Sequence, residues 1–371
     1  MSDPTGKSVV RDLRREDLTA VARLFQATFR RRKNLPPSLA GYLHEVFFEH
    51  PWYDEELSSK VFVDGRGDIT GFVGVFPARL ELNGQYLRAA FAGTMMVDRP
   101  DCNPLAGARL LRAFLAGPQD ISLTETANTV ALGMWQKLAL PLELAYSLNW
   151  LRVFRPASMS VQLMERTSSA AALLRPFANL TDHFGERLGL SSFRTTPISA
   201  AGRIRFEDVD EREFASRLLT LKDMFSLRPQ WDRQSLAWFL QQGGQKHIFG
   251  RPFWRIATNR TGEVVGCYAY FGRPGHIAWL LQALCSADLA NELVDDLFAH
   301  ADKLGCAGIR GGGHPWLIPA LISRKTVFYG RAFFIAHAKD DRLLQPIRSG
   351  GALVSGLAGE NWTRLIGDHF D

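Results

Sequence analysis

The sequence predicts an α/β protein made of two tandem copies of one domain, each a mixed central sheet flanked by helices. Three observations predict it. Strand and helix patterns run in the order β-α-α-β-β-β-α-β-α-β from residue 8 to residue 156. The same order returns after residue 202. One hairpin aligns in register between the copies: VDGRGDITGFVGVFP (63–77) lies on TNRTGEVVGCYAYFG (258–272), with Gly71 on Gly266, an offset of 195 residues. Self-similarity over a whole domain means duplication. The expected limits are 1–155 for the first domain, 156–202 for a helical connector and 203–371 for the second domain with its tail.

The elements follow in order. SVVRD is a short strand. In REDLTAVARLFQATF the apolar residues Leu18, Val21, Leu24, Phe25 and Phe29 share one helix face, and Asp17 near its start suits the positive end of the helix dipole. After the NLPPS break, LAGYLHEVFFEH is a second helix. VFVDGRGDITGFVGVFPARLEL and LRAAFAGTMMV form three strands, with DGRGD turning between the first two. DRPDCNPLAGARLLRAFLAG is a loop opening into a helix, ISLTETA a strand and NTVALGMWQKLAL a helix. LELAYSLNWLRVFRP closes the domain as a strand. Residues 156–202 have broken helical periodicity. The second copy runs from RIRFEDVD to GRAFFIAHAKD, and GENWTRLIGDHFD is expected to pack on the second domain.

Composition excludes several function classes. The 371 residues are 46% hydrophobic and 22% charged, an ordered globular balance. The net charge of +6 is scattered. Its one run, Arg30-Arg31-Arg32-Lys33, reads as a solvated helix end or as an anionic-ligand patch, and one run is far from the basic face that nucleic acid needs. No window is apolar and long enough for a membrane span. The four cysteines, Cys102, Cys267, Cys285 and Cys306, make no CxxC pair. With no apolar leader at the N-terminus, they place the protein in the cytoplasm. HEVFFEH has Phe48 where HExxH needs its second histidine, so no metal site is expected, and GxSxG and phosphate-loop signatures are missing.

Element order and three short motifs resemble the GNAT acyltransferase superfamily, with a degenerate copy in the second half. The first motif is the opening strand and helix, RDLRREDLTAVARLF. The second is the loop Asn103-Pro104-Leu105-Ala106-Gly107-Ala108, where the family has Q/R-x-x-G-x-G/A. Asn103 replaces Gln or Arg, Ala106 replaces the first glycine, Ala108 fits, and Pro104 removes a donor. Such a loop holds pyrophosphate on backbone N–H groups at a helix start. The third is Asn128, Ala131, Trp135 and Lys137, on the family spacing N-x-x-A-x-x-x-Y-x-K.

The resemblance implies acyl transfer, acetyl first among the acyl groups, from acetyl-CoA or another acyl-CoA to a small-molecule or peptide amine by direct attack in a ternary complex. It places the cofactor on Met96, Val97, Asn103, Leu105, Ala106, Gly107, Ala108, Arg109 and Asn128. Trp135 stands where the family's tyrosine protonates the leaving thiolate. An indole N–H cannot do that, so Trp135 is equally read as core. Glu125, near the end of its strand, is the candidate base, with Asp98 second. Tyr146 is a candidate acid, and both Glu125 and Tyr146 also read as structural. The second half has SADLANELVDDLF in place of the loop, without glycine and rich in acids that would repel a pyrophosphate. It is therefore expected to cap the site or hold the acceptor, and GGGH (311–314) is an acceptor contact or a permissive turn. Two other readings stay open: an inactive acyl-CoA-binding scaffold, and a Fem-like transferase using aminoacyl-tRNA. Oligomeric state is not legible.

Overall fold

The computed structural model describes residues 7–32, 34–101, 103–138, 142–165 and 204–370. The connector expected over 156–202 lies mostly outside them; within them, Pro156–Glu165 is a helix. Two seven-stranded sheets organise the chain. The first contains β1 (Val9–Asp12), β2 (Lys60–Val63), β3 (Ile69–Leu82), β4 (Gln85–Val97) and β5 (Ile121–Ala127). The second contains β6 (Asn149–Val153), β7 (Ile204–Asp208), β9 (Arg251–Asn259), β10 (Val264–Gly272), β11 (Ile277–Cys285), β12 (Gly308–Gly312) and β13 (Val327–Tyr329). The first sheet is completed by β14 (Phe333–Ala338) beside β5, and by β8 (Leu227–Pro229) beside β3.

The duplication is visible in the strand pairing. Phe62 faces Gly71 across β2–β3, and Ala257 faces Gly266 across β9–β10. Both hairpins slip register next to that pair. This is the offset of the sequence alignment, so the fold is two copies of one mixed sheet.

The copies are interlocked. β6 follows the helical part of the first half, yet it pairs antiparallel with β12. β14 ends the second half, yet it pairs antiparallel with β5. Each half thus lends its last strand to the other's sheet. Alternation identified both segments as strands, because a strand's period is local. It carries no information about the partner, which is a long-range choice. LELAYSLNWLRVFRP also divides: Leu144–Ser147 is one helical turn, and only Asn149–Val153 is strand.

Helices cover the first sheet as their patterns require. α1 (Leu18–Phe25) buries Leu18, Val21, Leu24 and Phe25. Phe29, expected on the same face, falls in a wider π turn over Gln26–Arg30 that rotates it out of register, and it is exposed. Asp17 before it accepts two bonds from the Arg11 guanidinium, at 2.6 and 2.9 Å, and one from the Arg14 N–H. α2 (Pro37–Phe48) starts on a proline, whose missing N–H costs nothing there. α3 (Ala106–Leu115) turns Leu110, Leu111 and Phe114 inwards.

The C-terminal segment does not lie on the second half alone. Its Trp362 indole packs against Phe76 at 5.5 Å and His50 at 5.6 Å from the first half, and against Trp238 at 5.1 Å and Phe239 at 5.2 Å from the second. The segment is a spine between the halves. No helix among the described residues is long and apolar enough to cross a membrane.

Candidate functional site

The site begins with a disagreement between two neighbouring strands. β4 and β5 pair in parallel only at Ala89–Phe91 with Ile121–Leu123. Beyond Phe91 the strands diverge. On its other edge β4 slips register against β3, so that Thr94 and Met95 together oppose Val73. Thr94 has φ 56°, a left-handed conformation that a β-branched residue adopts only when its surroundings impose it. A bulge of this kind re-aims backbone groups at a sheet edge.

A cavity of about 380 Å³ opens there, within the range of small-molecule sites. Its first wall is Thr94 and Met95 on β4, Thr126 and Asn128 at the end of β5, and Ala131 and Trp135 on α4 (Thr129–Lys137). The opposite wall comes from the second half: Trp279, Arg310, Tyr329 and Arg331. Asn361 and Leu365 of the C-terminal segment form part of the lining.

The divergence is closed at its base by two carboxyl groups. Glu360 Oε1 accepts the Glu125 N–H at 2.6 Å, and its Oε2 accepts the Thr126 hydroxyl at 2.7 Å. Glu125 accepts the N–H of Gly356 at 2.9 Å, the N–H of Glu360 at 2.7 Å and the Asn361 amide at 2.6 Å. Both carboxyl groups are buried. Burial pushes Glu360 up to about 8, against the pull of its hydrogen bonds. Burial also raises Glu125, while its three donors oppose the shift. Charge repulsion from Glu125 adds to the rise at Glu360. Protonation of one of the two relieves that repulsion, and the three donors favour Glu125 as the ionised partner.

Close approach explains two glycines. A Cβ on Gly93 would stand 2.5 Å from the Phe76 ring and 2.7 Å from Glu360 Oε2. Gly356 has φ 69°, and a Cβ there would meet the Leu281 carbonyl at 2.4 Å.

A third buried titratable group completes the network. Lys246 donates to the Asn361 carbonyl at 2.5 Å and the Ile366 carbonyl at 3.1 Å, and lies 4.5 Å above the Trp279 ring. Burial lowers it to about 7.

The second half keeps the same divergence but fills it. β11 pairs with β12 only at Ile277–Trp279, and Leu281 is bulged against β10. Here the His314 ring enters the gap. Its Nδ1 donates to the Gly312 carbonyl at 2.5 Å, and its Nε2 accepts the Ala283 N–H at 3.2 Å. Those partners fix the neutral tautomer, and burial lowers the ring to about 4. Gln282 Oε1 accepts the Leu357 N–H at 2.8 Å. GGGH is a strand end followed by a plug, and its Gly311, Gly312 and Gly313 also line the cavity.

The structure brings Glu125, Asn128 and Tyr146 together at the cavity, whereas Met96, Val97, Asn103, Leu105, Ala106, Gly107, Ala108, Arg109 and Asp98 are not among the residues that line it. Tyr146 is buried, donates to the Ala352 carbonyl at 2.6 Å, and is raised well above the usual phenol range by burial. Asn128 caps α4 by accepting the Ala131 N–H at 2.9 Å, which gives the N-x-x-A spacing a structural cause. Met96 and Val97 end β4; Met96 is buried and Val97 half-buried. Asn103, Leu105 and Ala106 form the entry to α3, where the Ala106 N–H bonds the Asn103 carbonyl at 3.0 Å and Leu105 is exposed. Gly107 and Ala108 occupy the first turn, whose N–H groups have no acceptor within the helix. Gly107 packs against Met134, whose Sδ would lie 2.8 Å from an added Cβ. Arg109 points to β1: it donates to the Ser8 hydroxyl at 2.7 Å and the Ser8 carbonyl at 2.9 Å, with its guanidinium 5.0 Å above the Phe62 ring. Asp98 pairs with Arg99 at 3.2 Å on the surface.

Sequence reasoning missed Thr94, Glu360, Arg310 and Arg331. Thr94 carries no turn signature, and the other three reach the site only through tertiary packing.

No sequence-family profile matches the chain, and no curated protein matches it. Solved structures do. A conserved protein of unknown function from Enterococcus faecalis, described as a probable N-acyltransferase, superposes with a TM-score of 0.54 at 9% identity, over 90% of this chain and 73% of that one. A GCN5-related N-acetyltransferase from Anabaena variabilis gives 0.54 at 9% identity, over 90% and 73%. One from Kribbella flavida gives 0.52 at 12%, over 91% and 72%. With the duplicated mixed sheet and the diverging strands already described, these likenesses identify the fold as that of the GCN5-related N-acetyltransferase superfamily, present here in two tandem copies.

Proposed function

We propose that the protein transfers an acyl group, acetyl or longer, from acyl-CoA to an amine by direct attack in a ternary complex. The observation that carries this reading is the bulged edge of β4 at Thr94–Met95, which faces an open gap and a cavity. In this reading the first unit, residues 1–155, takes the acyl-CoA. Its pantetheine arm lies along the edge of β4 from Met96 and Val97, past Asn128. Its pyrophosphate meets the N–H groups of Gly107 and Ala108 at the start of α3. Strand N–H groups at the bulge polarise the thioester carbonyl, and holding amine and thioester together supplies much of the rate.

Glu125 and Tyr146 are the proposed proton-transfer groups. The amine nitrogen attacks the thioester carbon, the C–S bond breaks, one amine proton leaves towards Glu125 and the thiolate takes a proton. Burial brings the Glu125 carboxyl closer to the range useful for a base. Tyr146 would have to release its bond to Ala352 to donate.

The test is thiol release from acetyl-, octanoyl- and palmitoyl-CoA with a panel of amines. Turnover that falls at least tenfold in Glu125→Gln supports the assignment. Turnover that survives unchanged in Glu125→Gln and Tyr146→Phe removes both residues from the chemistry.

One observation favours a second reading, binding without turnover. Trp135 is buried and packs edge-on against Phe114 at 6.1 Å, so the usual position of the family's acid is occupied by core. Saturable acyl-CoA binding with no thiol release across the amine panel would select that reading.

A further inference from the structure

The charge of the cavity is one-sided. Arg30, Arg310 and Arg331 line it, and Glu125 is the one carboxylate among the described lining residues. That carboxylate already accepts three hydrogen bonds. Arg310 stands on β12, with its guanidinium 5.5 Å above the Phe249 ring. Arg331 is exposed, between β13 and β14. Arg30 comes from the other half, donates to the Leu365 carbonyl at 3.3 Å and the Asp368 carbonyl at 2.5 Å, and is lowered by burial against the opposing pull of the Asp368 charge. Three guanidinium groups around a small, partly desolvated space bias it towards an anionic ligand.

The rest of the lining carries polar side chains on the first wall, Thr94, Thr126 and Asn128 among them, while aromatic and aliphatic groups, Phe249, Trp279, Leu280 and Tyr329, stand on the side of the second half. Guanidinium is the side chain best matched to a planar carboxylate, which it can grip through two parallel N–H bonds.

We propose that the acceptor is an amine that also carries a carboxylate, an amino acid with an apolar or aromatic side chain. Its carboxylate is held by Arg310 and Arg331 of the second half, and its amine is directed to the bulge of β4. The proposal rests on the acyl-transfer reading and names its acceptor. It also gives the second half a role, since the copy whose own divergence is filled by His314 supplies the wall that selects the acceptor.

The experiment compares matched pairs, phenylalanine with phenethylamine and tyrosine with tyramine, as acceptors for acetyl- and octanoyl-CoA and for the corresponding acyl-pantetheines. The acyl-pantetheines lack the nucleotide phosphates. In parallel, binding of the two amino acids is measured by calorimetry, and acyl-CoA binding is measured separately. The expected result is a KM at least tenfold lower for each amino acid than for its decarboxylated partner, with either thioester. Arg331→Ala, an exposed position that folding tolerates, should bring that ratio close to one, and Arg310→Gln should do the same.

Equal use of acid and amine overturns the proposal. So does an arginine effect seen with acyl-CoA but not with acyl-pantetheine, because the arginines would then serve the nucleotide phosphates. If no amine is acylated, amino-acid binding decides: binding lost in Arg331→Ala keeps the carboxylate site while the acyl-transfer reading fails, and no binding to wild type at millimolar concentration overturns the site itself.

Discussion

Glu125 and Glu360, 235 residues apart in the chain, hold one another by exchanged bonds: the Glu125 N–H donates to the Glu360 carboxyl at 2.6 Å, and the Glu360 N–H donates to the Glu125 carboxyl at 2.7 Å. The pair ties the end of β5 to the C-terminal segment, and its Glu125 lines the cavity. Removing either carboxyl strands buried donors, which is the expensive way to lose a hydrogen bond. Glu125→Ala leaves the N–H groups of Gly356 and Glu360 and the Asn361 amide without their acceptor. It should cost on the order of 3 kcal/mol, read from chemical denaturation. Glu360→Gln, closer to the protonated acid, should cost less than half as much.

The same network predicts a pH profile with a minimum. Glu360, held at about 8 when folded, titrates near the ordinary carboxylate value when unfolded, so the folded state holds the extra proton in between. Its contribution to stability is therefore largest below about 4.5 and falls as pH rises towards about 8. Lys246, held at about 7 when folded, is protonated to higher pH in the unfolded chain. Its penalty is greatest below 7 and fades as pH climbs through the ordinary lysine value. The melting temperature should dip near neutral pH. Glu360→Gln should flatten the acid limb and Lys246→Met the alkaline limb. A wild-type profile that rises steadily from pH 5 to 8 contradicts the assignment.

Trp362 joins the two halves through aromatic contacts with Phe76, His50, Trp238 and Phe239. Trp362→Ala empties a fully buried site and should cost about 3–5 kcal/mol. It should also raise hydrogen exchange on both sides of the cavity, in the β4–β5 divergence and around Arg310. A loss of protection confined to the second half would mean that the segment does not bridge.

Gly93→Ala probes the gap directly. The new Cβ would press on the Phe76 ring and Glu360 Oε2. Since Phe76 is itself buried, the cost should be about 1–3 kcal/mol. A stable variant with unchanged thiol release would show that the floor of the gap has no bearing on the reaction.

The duplication and the element order were legible because both are written in local patterns: Gly71 and Gly266 fall at equivalent pairings in the two hairpins. The cavity was legible only on its first wall. Asn128 and Glu125 sit beside a recognisable helix start, so their neighbourhood could be read off the chain. The exchange of β6 and β14 was not, because a strand's alternation names its faces and not its neighbours. Neither was the role of the C-terminal segment, since Glu360 finds Glu125 by packing across 235 residues. Arg310 and Arg331 escaped for the same reason: each lies in an unremarkable local sequence and becomes a cavity wall only when the two copies interlock.

Acyl-CoA binding at the divergence of β4 and β5, and not at its filled counterpart, can be read by hydrogen exchange with and without octanoyl-CoA. The expected result is saturable protection of the amides in residues 92–97 and 103–109, with no change in 280–292. No protection at any acyl-CoA concentration, or protection confined to 280–292, would contradict it.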